Sequence, residues 1–182
     1  MKNIYIIFSY TGTYFSKLLK FVLGEKYVHV SISLDENLKN VYSFGRKNPK
    51  WMFPCGFVME NMELITSFFE GAVCQIYKLP VTKKQYRQFQ RELKKFKDSE
   101  NKYRYNIKGL VHIKFNRIYH RSHHFVCSQF VGKLLQDSEI YDFKKDYSLI
   151  KPRDVINIPH LDLIYEGKII DYLEELENEK GK

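Results

Sequence analysis

The sequence predicts an α+β fold in which a small antiparallel sheet packs against helices, and three observations carry that prediction. Residues 27–34 (YVHVSISL) alternate, with Val28, Val30, Ile32 and Leu34 on one side and His29, Ser31 and Ser33 on the other. A turn at Asp35-Glu36-Asn37 leads into residues 40–45 (NVYSFG), which read as the return strand of a hairpin. Two later stretches carry apolar side chains at helical spacing, Tyr86, Phe89, Leu93 and Phe96 in one and Phe130, Val131, Leu134 and Leu135 in the other. The resulting order mixes hairpin, strand and helices instead of alternating strand with helix, which argues against a parallel doubly wound sheet.

Taken in order, residues 3–9 (NIYIIFS) are apolar and β-rich and read as a buried strand. Thr11-Gly12-Thr13 breaks it. Tyr14, Phe15, Leu18, Leu19, Val22 and Leu23 then recur at helical spacing, with Gly24 as a C-terminal cap. Residues 46–62 contain Pro49, Pro54 and Gly56 and read as a long irregular loop, in which Trp51, Met52 and Phe53 are candidates to wall a cleft or to pack on the surface. Residues 73–79 (VCQIYKL) form another strand, which Pro80 is expected to end. Thr82 with Gln85 three residues later fits a capping box for the amphipathic helix over 83–97. Residues 103–115 are aromatic and β-branched around Gly109 and fit either helix or strand. The tail carries a short strand near Leu163-Ile164-Tyr165 and then an acidic helix.

The 182 residues are 44% hydrophobic and 16% aromatic, enough for one core and incompatible with a disordered chain. No stretch approaches the roughly 18 consecutive apolar residues that span a bilayer. The net charge of +9 is local. Between Lys83 and Arg121 there are 13 Lys or Arg and 3 acids, a net +10 that leaves the rest of the chain at −1. The helix over Lys83–Lys97 is therefore the candidate for docking an anionic partner, with a plain solvated helix face as the competing reading. With a single tryptophan and no recognition motif, specific nucleic-acid binding is not expected. The opening run Ile4–Phe8 is too short for a secretory signal, whose apolar region runs to about 7–15 residues. A cytoplasmic chain with reduced thiols is therefore expected. Three cysteines do not make a disulfide framework.

Cys74 lies inside a strand and Cys55 in the proline-containing segment, and buried packing accounts for both. Cys127 instead opens a predicted helix, where unpaired backbone N–H groups and the positive end of the helix dipole favour a thiolate and could stabilise an oxyanion. A cysteine nucleophile needs a base, and His29 is the one histidine in the middle of a strand. The segments HVSISL (29–34), VYSFGR (41–46) and FVCSQFVGKLL (125–135) resemble the permuted, NlpC-type branch of the papain-like cysteine hydrolases, including YiiX-like proteins. In that branch the histidine strand precedes the cysteine helix, and here His29 comes 98 residues before Cys127.

The resemblance covers about residues 3–138, with 139–182 as an added C-terminal strand and acidic helix in a single domain of 1–182. It implies a circularly permuted papain-like fold and hydrolysis or transfer at an amide, ester or thioester carbonyl, with no metal and no organic cofactor. Cys127 would be the nucleophile and His29 the base, acting on a small-molecule or peptide-like acyl substrate. The family's third group lies on the strand after the histidine, often as a carboxylate. The 41–46 strand offers only Tyr42 and Ser43, of which Ser43 fits better; an ordinary strand serine is the alternative. Tyr105 and Asn106 stand where relatives carry a Tyr-Asp pair and either line the substrate cleft, together with Tyr42, or brace it.

Two other readings remain at this point. His120, His123, His124 and Cys127 crowd four potential zinc ligands into eight residues, but there is no second pair and Arg117 and Arg121 would repel a cation, so a metal site is not expected. A catalytically weak or inactive ligand-binding module of the same fold is the alternative to a hydrolase. The absent carboxylate favours the module.

Overall fold

The computed structural model describes residues 1–51 and 53–180, apart from the side chains of Phe15, Leu18, Val22, Leu23, Glu179 and Lys180. The expected burial of those four apolar residues, and the placement of Met52, lie outside the described residues. The chain forms an α+β structure around a six-stranded antiparallel sheet. Strand β1 (Lys2–Tyr10) is followed by helix α1 (Tyr14–Leu23), the hairpin β2 (His29–Ser33) and β3 (Val41–Arg46), β4 (Cys55–Glu60), α2 (Met62–Phe68), β5 (Val73–Val81) and α3 (Lys83–Asp98). The rest comprises β6 (Arg104–Tyr105), α4 (Ile107–Lys114), β7 (His124–Phe125), α5 (Cys127–Asp137), α6 (Pro152–Ile156), β8 (Asp162–Lys168) and α7 (Ile169–Lys180). The sheet order is β4-β3-β2-β1-β5-β8, and every neighbouring pair is antiparallel.

Both faces of this sheet are covered. On one face Ile4, Ile6, Phe8, Val30, Ile32 and Phe44 pack against Phe89, Leu93 and Phe96 of α3 and Phe130 and Leu134 of α5. On the other, Ile7, Val41, Cys74 and Ile76 meet Met62 of α2 and Ile169 and Tyr172 of α7. Each such apolar side chain contributes about 1.5–3 kcal/mol when fully buried. Double coverage explains why β1 reads as a nearly continuous apolar run, since a strand buried on both faces has no solvent side to alternate with. It also changes the meaning of the alternation in β2. Ser31 and Ser33, expected on the polar side of the strand, are completely buried.

Local chemistry fixes the element ends. The Thr13 hydroxyl accepts from Ser16 N at 3.3 Å to start α1, and Gly24 closes it at φ +70°, a conformation that costs glycine nothing. Asp35 holds the hairpin turn by accepting from the backbone N–H of Lys39 and Asn40. The capping box at α3 is formed, Thr82 N donating to Gln85 Oε1 at 3.0 Å and Gln85 N to Thr82 Oγ1 at 3.2 Å.

Two expectations are corrected. Residues 46–62 are not one irregular loop, because Cys55–Glu60 pairs with β3 along its whole length. Pro54 stands just before that strand, where it costs no ladder bond. Gly56 marks a close approach, not a turn: a Cβ there would lie 2.6 Å from the backbone carbonyl of Tyr103. Nor does Pro80 end β5, which continues to Val81. β8 pairs with β5 only as far as Lys78, so Pro80 sits beyond the shared ladder, where one side of β5 has no strand partner to miss its N–H.

Gly56→Ala forces the Tyr103 backbone to move, and it should lower stability by about 1–3 kcal/mol. Urea unfolding should show a lower midpoint at unchanged slope. An unchanged midpoint would mean that the β6 segment can shift freely.

Candidate functional site

His29 is the first residue of β2, in register with Ser9 of β1. Its Nε2 lies 2.6 Å from Oε1 of Glu60, the last residue of β4. The same oxygen accepts from the Ser43 hydroxyl at 2.5 Å. The next residue, Asn61, anchors the chain beyond Glu60 by capping α2, its side chain accepting from Leu64 N at 2.8 Å. The His29 side chain is 23% exposed and that of Glu60 only 9%.

Burial in this setting opposes both charges, yet the two groups reverse that effect for each other. Burial would lower the His29 pKa, but the Glu60 carboxylate and the neighbouring Cys127 thiol raise it well above 6.5. Burial would raise Glu60, but the His29 charge and hydrogen bonds from His29 and Ser43, with the Ser31 hydroxyl close by, hold it below the ordinary 4.5. Ser31 Oγ is buried beside them with no hydrogen-bond partner among the described residues.

Cys127 opens α5, and its Sγ lies 4.0 Å from the carbonyl oxygen of Val28, the residue before His29. The tip of α5 is positioned by side chains in its first turn. Val126 N donates to Gln129 Oε1 at 2.9 Å, Gln129 Nε2 donates to Ser148 O at 2.9 Å, and Ser128 Oγ donates to Ile150 O at 2.6 Å. Val126 has no side-chain oxygen to accept from the first-turn N–H groups of α5, and the Gln129 side chain engages only the N–H of Val126 itself.

Tyr105 reaches the same place through the short parallel ladder of β6 and β7, which pairs Tyr105 with Phe125. Its hydroxyl is pushed well above its usual 10 by burial, and further by the nearby sulfurs of Cys127 and Cys55. Ser9, His29, Gly45, Glu60 and Tyr105 line a cavity of about 140 Å³ beside this cluster.

The structure therefore brings Cys127, His29 and Tyr105 together and sorts the remaining candidates differently. Ser43 bonds Glu60 and not the imidazole, so it supports the carboxylate. Asn106 caps α4 by accepting from Gly109 N at 2.9 Å, a bracing contact. Tyr42 faces the helix-packed core, its ring stacked on Phe57 and its hydroxyl accepting from Lys97 Nζ at 3.1 Å. Trp51 and Phe53 are exposed, while Lys47 and Pro49 of the same segment line the cavity. His120 pairs with Asp146, His123 with the Ser122 hydroxyl, and His124 with the Ser122 carbonyl. On α3, Lys84, Lys94 and Lys95 pair with Glu139, Asp98 and Glu92, and no residue of that helix lines the cavity. Burial raises the Cys55 thiol to about 11 and the Cys74 thiol to about 12. No helix among the described residues is long and apolar enough to cross a membrane.

Glu60 is the residue that sequence reasoning missed. The carboxylate comes from the second strand after the histidine, within a segment whose prolines and glycine disguise it. The run Phe57-Val58-Met59, β-prone and ending on an acid just before the capping Asn61, is the signal that could have found it. No protein-family model matches the chain, and no curated protein matches it significantly. The reading of the site therefore rests on its geometry.

Glu60→Gln keeps the shape and removes the charge. His29 has a raised pKa, so its contribution to stability is complete below pH 6.5 and declines as pH rises above that value. Glu60 has a lowered one, so its contribution is complete above pH 4.5 and is lost as pH falls through the folded value. The stability gap between wild type and variant should thus be widest between pH 4.5 and 6.5, at about 3 kcal/mol. The His29 ring resonances should titrate at lower pH in the variant. A gap independent of pH would rule out a charged pair.

Proposed function

We propose that this protein is a cysteine hydrolase of the permuted papain-like, NlpC-type branch, acting on an amide, ester or thioester. One observation carries the reading: the Glu60 carboxylate lies 2.6 Å from the His29 imidazole, which in turn adjoins the Cys127 thiol at the start of a helix. The absent third group was the argument for a non-catalytic binding module, and a carboxylate bonded to His29 removes that argument.

The steps follow from the arrangement. His29, held as imidazolium by Glu60, adjoins Cys127, and the form that attacks in this mechanism is the thiolate with the proton on His29. Cys127 Sγ attacks the substrate carbonyl carbon and forms the C–S bond, while N–H groups in the first turn of α5 receive the developing oxyanion. The tetrahedral intermediate collapses with cleavage of the bond to the leaving group, which takes its proton from His29. Water then attacks the acyl-thioester, His29 accepts the water's proton, and the acid departs as Cys127 is regenerated. Tyr105 lines the cavity together with His29, and Glu60 is a positioning residue that acts through His29.

Two measurements test this. Iodoacetamide at neutral pH should label Cys127 at least about tenfold faster than Cys55 or Cys74, with His29→Ala removing the advantage. Turnover of a simple aryl ester or thioester should vanish in Cys127→Ala and fall about 10²–10⁴-fold in His29→Ala. A Cys127 that reacts no faster than the two packed thiols deprives the hydrolase of its mechanism.

A further inference from the structure

The cavity lined by His29 and Glu60 continues along Thr11, Thr13, Arg46 and Pro49. It shares Thr11, Thr13, Pro49 and Arg46 with a second, wider recess of about 650 Å³, a size in the range of small-molecule sites. That recess is lined by the cations Lys17, Arg46 and Lys50 and the rings of Tyr14, Phe68 and Phe69, with no carboxylate among its described lining residues.

The cations sit over the rings. Lys17 Nζ is 5.7 Å from the Tyr14 centroid, Arg46 Cζ is 5.1 Å from that of Phe69, and Lys50 Nζ is 4.5 Å from that of Phe68. Among the described residues, none of the three forms an ion pair with an acid. Three positive groups have thus been gathered around one space while their negative counterparts are kept out of it.

Arg46 joins the two spaces. It follows Gly45, where an added Cβ would lie 3.4 Å from His29 Cε1 and 3.5 Å from Glu60 Oε1, so the Arg46 side chain starts one residue from the catalytic array. Nη1 donates to Pro49 O at 2.6 Å, which fixes the planar fork and leaves other donors for a ligand. Burial holds this guanidinium below its ordinary pKa, a cost that a bound anion would offset. Glu60, the carboxylate whose field reaches Arg46, is already engaged by His29 and Ser43.

We infer that this recess is the anion subsite of the active site, so that the substrate is an acyl compound carrying an oxyanion, carboxylate or phosphate, bound by Arg46 with Lys17 and Lys50 flanking it. The inference rests on the hydrolase reading for the position of the acyl carbon at Cys127. The rings of Tyr14, Phe68 and Phe69 provide an apolar surface for the chain between the two groups, and the guanidinium fork matches two oxygens of either anion.

The test compares aryl esters that differ only at the far end of the acyl chain: pentanoyl (neutral), glutaryl (carboxylate) and 4-phosphonobutanoyl (phosphonate). Wild type should prefer at least one anionic ester by about tenfold or more in kcat/KM, the scale of one charge-assisted hydrogen bond. Which anion is preferred identifies the group. Arg46→Gln should bring the ratio of anionic to neutral rates close to one, Arg46→Lys should restore part of it, and the exposed double variant Lys17→Gln/Lys50→Gln should reduce it several-fold even if the Arg46 variants fold poorly. Equal rates on all three esters would overturn the subsite and leave the hydrolase standing. If no ester turns over, the hydrolase reading falls by itself, and the subsite is read by calorimetry on the Cys127→Ser protein. Glutarate or inorganic phosphate should then bind, and at least about tenfold more weakly in Arg46→Gln. No binding, or binding indifferent to Arg46, would overturn the subsite on that route too.

Discussion

A carboxylate and an imidazole, both largely withdrawn from water at the end of a sheet, stay charged chiefly because each faces the other, with Ser43 and Cys127 adding to the effect. Removing either leaves a buried charge with no counterpart, which costs more than the pair itself contributes. This is the constraint around which the site is organised. It requires β2, β3 and β4 to be in a single register, because His29, Ser43 and Glu60 come from three adjacent strands and must share one face. A slip of one residue in β4 would turn Glu60 to the other face and leave His29 without its partner. The cap at Asn61 and the full-length pairing of β4 with β3 guard against such a slip.

The thiol arrives by a separate route. The β6–β7 ladder ties the segment before α4 to the segment before α5, placing Tyr105 and Cys127 near one another. A cluster of aromatic rings, Phe44, Phe57, Phe96, Phe125 and Phe130, then clamps α3 and α5 to the sheet, with centroids 5.0–6.2 Å apart in edge-on and tilted contacts. Phe44 and Phe57 belong to the same strands as Ser43 and Glu60, one residue and three residues away. The packing that anchors the cysteine helix and the polar contacts that orient the histidine are therefore built on opposite faces of the same two strands.

Positive charge is distributed in two different ways. On α3 three of seven cations, Lys84, Lys94 and Lys95, are answered by acids, and a surface pair of this kind is worth about 0–1 kcal/mol. Around the recess beside the site it is fewer in number, unanswered by carboxylates and set over aromatic rings. By sequence count the α3 region dominates the net charge of +9, yet it is the smaller group at Lys17, Arg46 and Lys50 that adjoins the reacting residues.

Periodicity and end chemistry were enough to determine the α+β class, the 27–45 hairpin, the capped amphipathic α3 and the cysteine at the head of α5, because these are local: alternation, 3.6-residue spacing and a Thr–Gln box act within a few residues. The pairing of His29 with Cys127 came from a resemblance of short segments, and the two residues do adjoin in the fold. What tertiary structure alone decided was the rest of the site. Pro54 and Gly56 carry loop propensity, but pairing with β3 and the close pass of the Tyr103 backbone make their segment a strand, and only that strand carries Glu60 to His29 across 31 residues of chain. Asn106 and Tyr42, equal candidates by position, were separated by helix capping in one case and by the side of the pleat in the other. Such assignments depend on which distant backbones lie alongside one another, and nothing within a local window encodes that.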